Sequence, residues 1–287
     1  MLVKFWGVRG SVPSGGKETA GVGGNTTCLE IRCGDELIVI DTGTGARNLG
    51  KELMKRLPLK GRIFYTHVHW DHIQGMPFFA PMYIKGNQFE IYGGTSLPMT
   101  IEDVLKRQMT PPCFPVKIDI MQSSLRFHDL RPGDVVRGDN YKLTLLGLYH
   151  PDGSYAYKIE SGGRSLVFAT DVEPLKDNKL DASLLKFAEG VDFLIYDAQY
   201  TEDEYFGRNG HFPRIGWGHS TMPEAVRISK TAGVKNLILF HHDPTHDDNF
   251  IGNIEKESRG LFPNSAAAYE GMEIDLGSPT PAKSMFD

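Results

Sequence analysis

The sequence has 287 residues, of which 40% are hydrophobic and 23% charged, a balance typical of globular proteins with a sizeable core. A formal net charge of −5 without a polybasic segment argues against duplex DNA as a partner, although it leaves a small phosphorylated substrate open. Three cysteines are too few for a disulfide framework, and no apolar run approaches the roughly 20 residues of a membrane span. We therefore expect a cytoplasmic protein with reduced thiols.

Short apolar runs alternate with amphipathic segments along the chain, which is the pattern of α/β proteins. Strands are predicted at Leu2–Trp6, Thr27–Arg32, Leu37–Asp41, Arg62–Tyr65, Phe89–Tyr92, Tyr141–Tyr149, Ser154–Glu160, Ser165–Ala169, Asp192–Tyr196 and Asn236–Phe240. Helices are predicted at Ala46–Arg56, Leu97–Gln108, Asp181–Glu189, Met222–Ala232 and Asp248–Ser258. No linker or repeat divides the sequence, so we expect a single domain over residues 1–287.

Histidines concentrate directly after the predicted strand Arg62–Tyr65. His67 and His69 are two residues apart, so their side chains can lie on the same side of an extended segment and bind one ion. Asp71 and His72 follow where the chain turns, and they can bind a second ion. Mixed imidazole and carboxylate ligands suit Zn²⁺, and also Mn²⁺ or Fe²⁺. The alternative is a polar loop rich in histidine, but so many imidazoles crowded together favour a bound cation.

Three further candidate ligands each follow a predicted strand, namely His150, Asp171 and His241. The carboxyl ends of strands are where α/β sheets usually build their sites. Each residue alone could be a capping or surface residue, but their shared placement beside the histidine cluster favours a metal site. The last ligand is ambiguous because His242 is adjacent to His241. We prefer His241, which directly follows the apolar strand, and His242 could then approach the substrate or be a surface imidazole.

The run His67-X-His69-X-Asp71-His72, preceded by Ile40-Asp41-Thr42-Gly43 and followed by single His, Asp and His candidates, resembles the metallo-β-lactamase superfamily. The resemblance implies an αββα sandwich of two mixed sheets flanked by helices, with two divalent metal ions at one edge. It implies one ion held by His67, His69 and His150, and another held by Asp71, His72 and His241, with Asp171 bridging. Asp41 would orient a ligand histidine.

A second motif, Gly218-His219-Ser220-Thr221, is similar to the phosphodiesterase branch of that superfamily, which includes tRNase Z. The resemblance implies that His219 contacts phosphate or protonates the leaving group, and that Asp197 raises the pKa of His219. In the alternative interpretation, Ser220 is an ordinary helix cap and His219 is its exposed neighbour. Asp197 stands where tRNase Z has glutamate, and the sequence has no long basic insertion that would bind tRNA.

The opening segment from Phe5 to Pro13, together with Gly23-Gly24-Asn25-Thr26, is closer to relatives with small substrates. These are cyclic-nucleotide phosphodiesterases, among them phage anti-Pycsar enzymes, and phosphoribosyl cyclic phosphodiesterases. Arg9 and Asn25 are weaker candidates for phosphate or ribose contacts. Several aromatic residues could stack on a base, although we expect most of them to be packing residues: Trp6, Trp70, Phe79, Phe114, Phe206 and Trp217.

We therefore expect a metal-dependent hydrolase that cleaves a small phosphodiester, most specifically a 3′,5′-cyclic nucleotide. A metal-bridging hydroxide would attack phosphorus, with Asp71, His219 and Asp197 as catalytic residues. One alternative is a tRNA 3′-processing endonuclease, which the acidic balance disfavours. Others are a lactone, thioester or β-lactam hydrolase, which would not need His219, and a protein that only sequesters a nucleotide. A homodimer is a further expectation, taken from the resemblance alone.

Overall fold

Fourteen β-strands are found among the residues that the computed structural model describes, which are 1–94, 98–176, 179–278 and 283–287. In chain order the first seven are β1 (Leu2–Gly7), β2 (Cys28–Cys33), β3 (Glu36–Ile40), β4 (Lys60–Phe64), β5 (Gln88–Gly93), β6 (Ser124–Asp129) and β7 (Val135–Arg137). The others are β8 (Lys142–Leu148), β9 (Ser154–Ser161), β10 (Arg164–Ala169), β11 (Phe193–Asp197), β12 (Asn236–Phe240), β13 (Ser265–Ala267) and β14 (Glu273–Asp275).

The strands form two mixed sheets of seven strands each. Their orders are β14-β1-β2-β3-β4-β5-β6 and β13-β12-β11-β10-β9-β8-β7. In the first sheet the pairs from β14 to β3 are antiparallel and those from β3 to β6 are parallel. In the second, the pairs from β7 to β10 are antiparallel and those from β10 to β13 are parallel.

Seven α-helices and four 3₁₀ turns are found among the described residues. They are α1 (Ala46–Leu53), α2 (Trp70–Ile73), α3 (Ile101–Gln108), α4 (Ala182–Phe187), α5 (Glu202–Phe206), α6 (Met222–Thr231) and α7 (Asp248–Leu261). The 3₁₀ turns are Met54–Arg56, Met76–Phe78, Ala80–Tyr83 and Ile118–Ile120. Within the described ranges, no helix combines the length and apolar character needed to cross a bilayer.

Side-chain alternation along the central strands explains the layer order. In β3, Ile38 and Ile40 face an apolar core shared with the second sheet, whereas Leu37 and Val39 pack with residues of α1 on the opposite face. In β12 the same division places Ile238 toward the first sheet and the alternate leucines against α6. Because both faces of these strands are covered, the layers run helix, sheet, sheet, helix, and the predicted αββα fold class is confirmed.

All ten predicted strands are present, with ends that differ by no more than two residues. The prediction missed β6, β7, β13 and β14, and it missed the short helices α2 and α5. The predicted helix Ala46–Arg56 ends earlier, at Leu53, and continues as a 3₁₀ turn. The predicted start of the third helix at Leu97 lies outside the described residues, and α3 begins at Ile101 after a capping box on Thr100.

Candidate metal centre

The candidate ligands meet where strands of both sheets end. Each follows a strand of known bounds: Asp41 follows β3, His67 to His72 follow β4, His150 follows β8, Asp171 follows β10, Asp197 ends β11 and His241 follows β12. Parallel pairing in each sheet brings these carboxyl ends to one edge. The side chains form three groups, each with donor atoms that all lie within 4.8 Å of one another and that could hold a metal ion. The third, Asp171, Asp197, His219 and His241, shares Asp171 and His241 with the second.

The first group consists of His67, His69 and His150. The centroid of the His67 ring lies 4.5 Å from that of His69 and 4.8 Å from that of His150. The buried Nε2 of His67 has no hydrogen-bond partner among the described residues. An unpaired buried nitrogen costs free energy, which coordination to a cation would offset. These residues therefore fit one metal ion.

The second group consists of Asp71, His72, Asp171 and His241. The Nε2 atoms of His72 and His241 face each other at 3.3 Å, and Oδ2 of Asp71 lies 3.3 Å from Nε2 of His241. Two imidazole nitrogens so close to each other and to carboxylates form a donor set suited to a second cation.

Asp171 lies between the two groups. Its Oδ2 is 3.3 Å from Nε2 of His72 and 3.4 Å from Nε2 of His241, in the second group. Its Oδ1 is 3.7 Å from Nε2 of His67 and 3.8 Å from Nε2 of His150, in the first group. One oxygen faces each group, which is the arrangement that a bridging carboxylate requires.

In His72 and His241, the other ring nitrogen is held by an acceptor that fixes the tautomer. Nδ1 of His72 bonds Oδ2 of Asp41 at 2.8 Å, and Nδ1 of His241 bonds Oε1 of Gln199 at 2.9 Å. The ionised carboxylate of Asp41 and the side-chain oxygen of Gln199 can only accept a hydrogen bond. In the neutral ring, Nδ1 therefore carries the proton and Nε2 is free to bind a metal. The structure thus places Asp41 beside a candidate ligand histidine, as the resemblance to the superfamily implied.

Burial and mutual charge set the protonation of this centre. Burial lowers the pKa of His67 well below its ordinary value and lowers the pKa of His150 to about 4. Burial also disfavours ionisation of Asp171, but the imidazoles of His241 and His72 hold the pKa of Asp171 well below its usual range. Burial also opposes a charged His72, but the carboxylates of Asp171, Asp71 and Asp41 outweigh it and raise the pKa of His72 well above its ordinary value, so this ring must lose a proton when it binds a metal.

His219 lies beside the metal groups and is only 8% exposed. Its Nδ1 bonds Oδ2 of Asp197 at 3.0 Å and lies 3.6 Å from Oδ1 of Asp171. Burial acts against a charged ring, but the carboxylate of Asp197 outweighs burial and raises the pKa of His219 to about 9. His219 therefore carries a proton near neutral pH, in a position next to the candidate ions.

The alternative interpretation of this motif, with Ser220 as the helix cap and His219 exposed, is wrong. Thr221 is the N-cap of α6, since its side chain accepts a hydrogen bond from the backbone N–H of Glu224. The backbone N–H of Ser220 instead donates to Oδ1 of Asp197 at 3.0 Å. Asp197 thus holds both the ring of His219 and the backbone that follows it.

Three weaker sequence candidates are engaged away from the metal groups, so we correct those expectations. The fully buried guanidinium of Arg9 donates to the backbone carbonyl oxygens of Gly23, Asp243 and His246, which leaves it no access to phosphate. The amide of Asn25 donates to Glu270 at 2.9 Å. His242 is buried, and its Nε2 bonds the carbonyl oxygen of Ala268, so it is neither a surface imidazole nor turned toward a substrate.

Sequence reasoning missed three contributors to the centre. Gln199 bonds His241, and its Nε2 also donates to Oγ of Ser11 at 3.1 Å. The backbone N–H of Ser11 donates to Oδ2 of Asp71 at 2.7 Å. A Cβ at Gly10 would lie 2.4 Å from Nδ1 of His241, so only glycine fits there. Gly10 and Ser11 belong to the opening segment noted in the sequence, but only the folded chain shows that this segment reaches the ligands.

The aromatic candidates differ in exposure. Trp70 is 82% exposed and lines the cleft over the centre, together with Val68 and Ser11. Phe206 and Trp217 are also exposed, whereas Phe79 is fully buried and belongs to the core between the first sheet and its helices. Of these candidates, Trp70 is therefore the aromatic residue that lines the cleft.

A family model described as a β-lactamase superfamily domain matches residues 37–242 of this chain. The sequence is similar to ribonuclease Z of Methanothermobacter thermautotrophicus, at 26% identity over 325 aligned residues that cover 96% of this chain and 97% of that protein.

Solved structures show the same fold. The metallo-β-lactamase fold protein YhfI from Bacillus subtilis has a TM-score of 0.68 and 21% identity, and covers 95% of this chain and 98% of its own. The short form of human tRNase Z has a TM-score of 0.63 and 20% identity, and covers 96% of this chain and 99% of its own. With the family model matching well over half of its length, the chain belongs to the β-lactamase superfamily, as the sequence predicted.

Proposed function

We propose that this protein is a metal-dependent phosphodiesterase with two divalent ions. The observation that carries the proposal is the buried, hydrogen-bonded pair of His219 and Asp197. This pair belongs to neither of the first two groups of candidate ligands but lies beside both. A proton donor whose pKa is raised to about 9, placed next to the candidate ions, suits a reaction that expels an alkoxide from phosphorus. Hydrolysis of a lactone or thioester would not require this pair.

The chain's own residues would hold the two ions in distinct groups. We propose His67, His69 and His150 for one ion, Asp71, His72 and His241 for the other, and Asp171 between them. When bound, the ions would acidify a water molecule and neutralise negative charge that develops on phosphorus. Zn²⁺ is the ion that we propose first, because imidazole nitrogens dominate the donor set, with Mn²⁺ or Fe²⁺ as alternatives.

His219 would then donate its proton to the oxygen that leaves phosphorus. Asp197 holds the Nδ1 side of the ring, which turns Nε2 of His219 away from the carboxylate and toward the cleft. Ser11 would hold Asp71 in place through its backbone N–H. Each of these contacts exists before a substrate binds, so no free energy is needed to reorganise the side chains during the reaction.

For the substrate, we propose a small phosphodiester, and specifically a 3′,5′-cyclic nucleotide. The cleft over His219 and Asp171 has a volume of about 430 Å³, within the roughly 300–1,000 Å³ of small-molecule sites. The exposed indole of Trp70 on its wall offers a face for a base. The net charge of −5 also disfavours a long polyanion.

A second candidate is a tRNA 3′-processing endonuclease, and the ribonuclease Z relative favours it because the similarity covers almost the whole chain. However, the alignment with that relative spans 325 positions, more than the 287 residues of this chain. The relative therefore carries segments that have no counterpart here. We rank the small phosphodiester first for this reason.

A substrate panel separates these candidates. Protein loaded with Zn²⁺ or Mn²⁺ would be incubated with bis-p-nitrophenyl phosphate, 3′,5′-cyclic nucleotides, a tRNA precursor and an acyl lactone. We expect turnover of the diester and of at least one cyclic nucleotide. Precursor cleavage without cyclic-nucleotide turnover would select the endonuclease. Lactone turnover with no diester hydrolysed would reject the phosphodiesterase proposal.

A further inference from the structure

Glu173 is a buried carboxylate close to the candidate ions, with no part in the chemistry described above. It follows Asp171 by two residues and is only 4% exposed. Its Oε1 accepts hydrogen bonds from the backbone N–H of Gly216 at 2.5 Å and from the hydroxyl of Tyr205 at 2.9 Å. Its Oε2 accepts from the backbone N–H of Gly218 at 3.0 Å. Both oxygens therefore hold the loop that leads directly into His219.

The loop has a backbone shape that makes this contact possible. Gly216 and Gly218 have φ values of +90° and +91°, in the left-handed region that glycine tolerates best. Their two N–H groups converge on one carboxylate, as backbone N–H groups do in anion-binding concavities. In this loop the anion is the side-chain carboxylate of Glu173.

The same loop is packed tightly against the metal centre. A Cβ on Gly218 would lie 2.4 Å from Cδ2 and 2.6 Å from Nε2 of His150. The backbone N–H of Glu173 also donates to the carbonyl oxygen of Tyr149, at 2.8 Å. Glu173 thus connects the segment that carries Asp171, the segment that carries His150 and the loop that carries His219.

We propose that Glu173 is a positioning residue that fixes the distance between His219 and the candidate metal ions. The proposal rests on the proposed function, because Glu173 acts only through the proton donor. Asp197 holds the ring of His219 from one side, and Glu173 holds the backbone from the other. A purely structural role for Glu173 would affect folding and metal content but would be independent of His219.

The central variant is Glu173→Gln, which keeps the size of the side chain. Its single carbonyl oxygen can accept from one of the two glycines, while its NH₂ group would face the N–H of the other. We expect kcat for a diester with an alkoxide leaving group to fall about 10- to 100-fold, the usual effect of losing a partner that orients an active group. Both ions should remain bound by elemental analysis, and KM should change far less than kcat.

A double-mutant comparison with His219→Ala distinguishes a positioning role of Glu173 from a purely structural one. We expect Glu173→Gln to have little further effect in a His219→Ala background, because the misplaced group is already gone. We also expect Glu173→Gln to lower kcat less for p-nitrophenyl phosphodiesters, because p-nitrophenolate leaves with little need of protonation. An equal loss in both backgrounds would overturn the proposal.

Two controls keep the result interpretable. Tyr205→Phe removes a donor from the same carboxylate but leaves both loop bonds, so kcat should stay close to that of the wild type. Glu255→Gln alters another buried carboxylate that accepts from a backbone N–H, that of Ala267, and it bonds no residue of the centre. It should leave kcat unchanged. A large loss in Tyr205→Phe would show that the loop bonds are not the decisive contacts.

The outcomes also separate this proposal from the proposed function. Wild-type kcat in His219→Ala would remove the proton donor from the mechanism, and the role of Glu173 with it. A low kcat in His219→Ala with normal kcat in Glu173→Gln would overturn the positioning role alone. Should Glu173→Gln unfold, as judged by circular dichroism, Glu173→Asp keeps the charge and shortens the reach, and the same coupling test applies to it.

Discussion

Single acceptor atoms decide which nitrogen of His72 and of His241 is available to a metal ion. Asp41 takes this role for His72, and Gln199 takes it for His241. Such partners usually matter almost as much as the ligands, because they orient the ring and raise its basicity. Gln199 is neutral, so it can orient His241 without adding negative charge to a centre that already has two carboxylates.

Replacing Gln199 by methionine should weaken binding of one ion. Methionine has a similar volume but offers His241 no carbonyl acceptor, so the ring can rotate or protonate at Nε2. We expect about 10- to 100-fold lower affinity for one of the two ions, measured by metal titration. Gln108→Met is the control, since the Gln108 side chain donates to the backbone carbonyl oxygen of Ile73 and not to a ring of the candidate ligands. Equal affinities in Gln199→Met and the wild type would exclude an orienting role.

Replacing His219 by alanine should separate catalysis from metal binding. We expect kcat for a phosphodiester with an alkoxide leaving group to fall about 10²- to 10⁴-fold, the range for loss of a general acid. Both ions should stay bound in elemental analysis, because this ring belongs to neither of the two groups that we propose to hold them. His211→Ala changes an exposed histidine and should have no effect. An undiminished kcat in His219→Ala would contradict the assigned role.

The sequence was informative for residues whose chemistry is rare and clustered. The spacing of His67, His69, Asp71 and His72 predicted a metal site, and the structure brings these residues together with the later candidates. It was misleading for Arg9, because a guanidinium can bind backbone carbonyl oxygens as well as phosphate. Which of the two it binds depends on distant chain segments, and no local pattern records that choice.

At the level of elements, the backbone conformation just after a strand orients three side chains of the centre. Asp41, Asp171 and His241 have φ values of +58°, +56° and +62°, and each follows a strand that ends within two residues. Left-handed backbone is strained in residues other than glycine and persists only where surrounding contacts stabilise it. The buried sheets therefore hold these donors in conformations that an isolated peptide would avoid.

Replacing Gly10 by alanine should disturb the candidate metal centre although Gly10 is not itself a candidate ligand. The new methyl group would lie 2.4 Å from Nδ1 of His241 and 2.8 Å from Oε1 of Gln199, so the bond between these side chains must shift. We expect weaker binding of one ion and a lower kcat. Gly15→Ala is a matched control, because no atom lies within 4 Å of the added methyl group. Equal losses in both variants would point to the loop in general rather than to His241.

The elements that the sequence predicted are those whose pattern is decided locally. β3 and β12 are apolar runs buried on both faces, and both were found with ends shifted by one residue at most. β6, in contrast, alternates exposed and half-buried residues at the edge of its sheet. β13 and β14 have three residues each, too few for any period to be visible. Tertiary pairing alone defines these strands.

For the whole molecule, the ions that we propose would connect the two sheets, because His72 follows a strand of the first and His241 a strand of the second. Ligands that bind only the folded state stabilise it by about 4 kcal/mol at a thousandfold excess over Kd. For a chain of this size that is roughly 10 °C in Tm. We expect a chelator to lower Tm by this order in calorimetry. Asp171→Ala, which lacks the bridging carboxylate, should respond far less.

Acid stability should depend on a buried pair away from the centre. Burial disfavours ionisation of Glu204, but hydrogen bonds from His246 and Thr201 outweigh it and lower the pKa of Glu204 to about 2. Since this folded-state pKa lies below the ordinary 4.5, ionised Glu204 stabilises the fold above about pH 4.5. This contribution is lost as the pH falls toward 2.

Glu204→Gln tests this dependence. The free energy of unfolding should be lower than that of the wild type at pH 7, and the difference should shrink at pH 3. Glu202→Gln, an exposed position on the same helix, should show no such trend. A difference that stays constant between the two pH values would contradict the pKa argument.

The pairing of β1 with β14 has a consequence for synthesis. β14 lies near the end of the chain, yet it covers the outer edge of the first strand at Leu2, Val3 and Lys4. Until Glu273–Asp275 leave the ribosome, the nascent N-terminal sheet has an open edge, and open edges recruit other chains. Truncation before Glu273 should therefore favour aggregation even though every candidate metal ligand is already present.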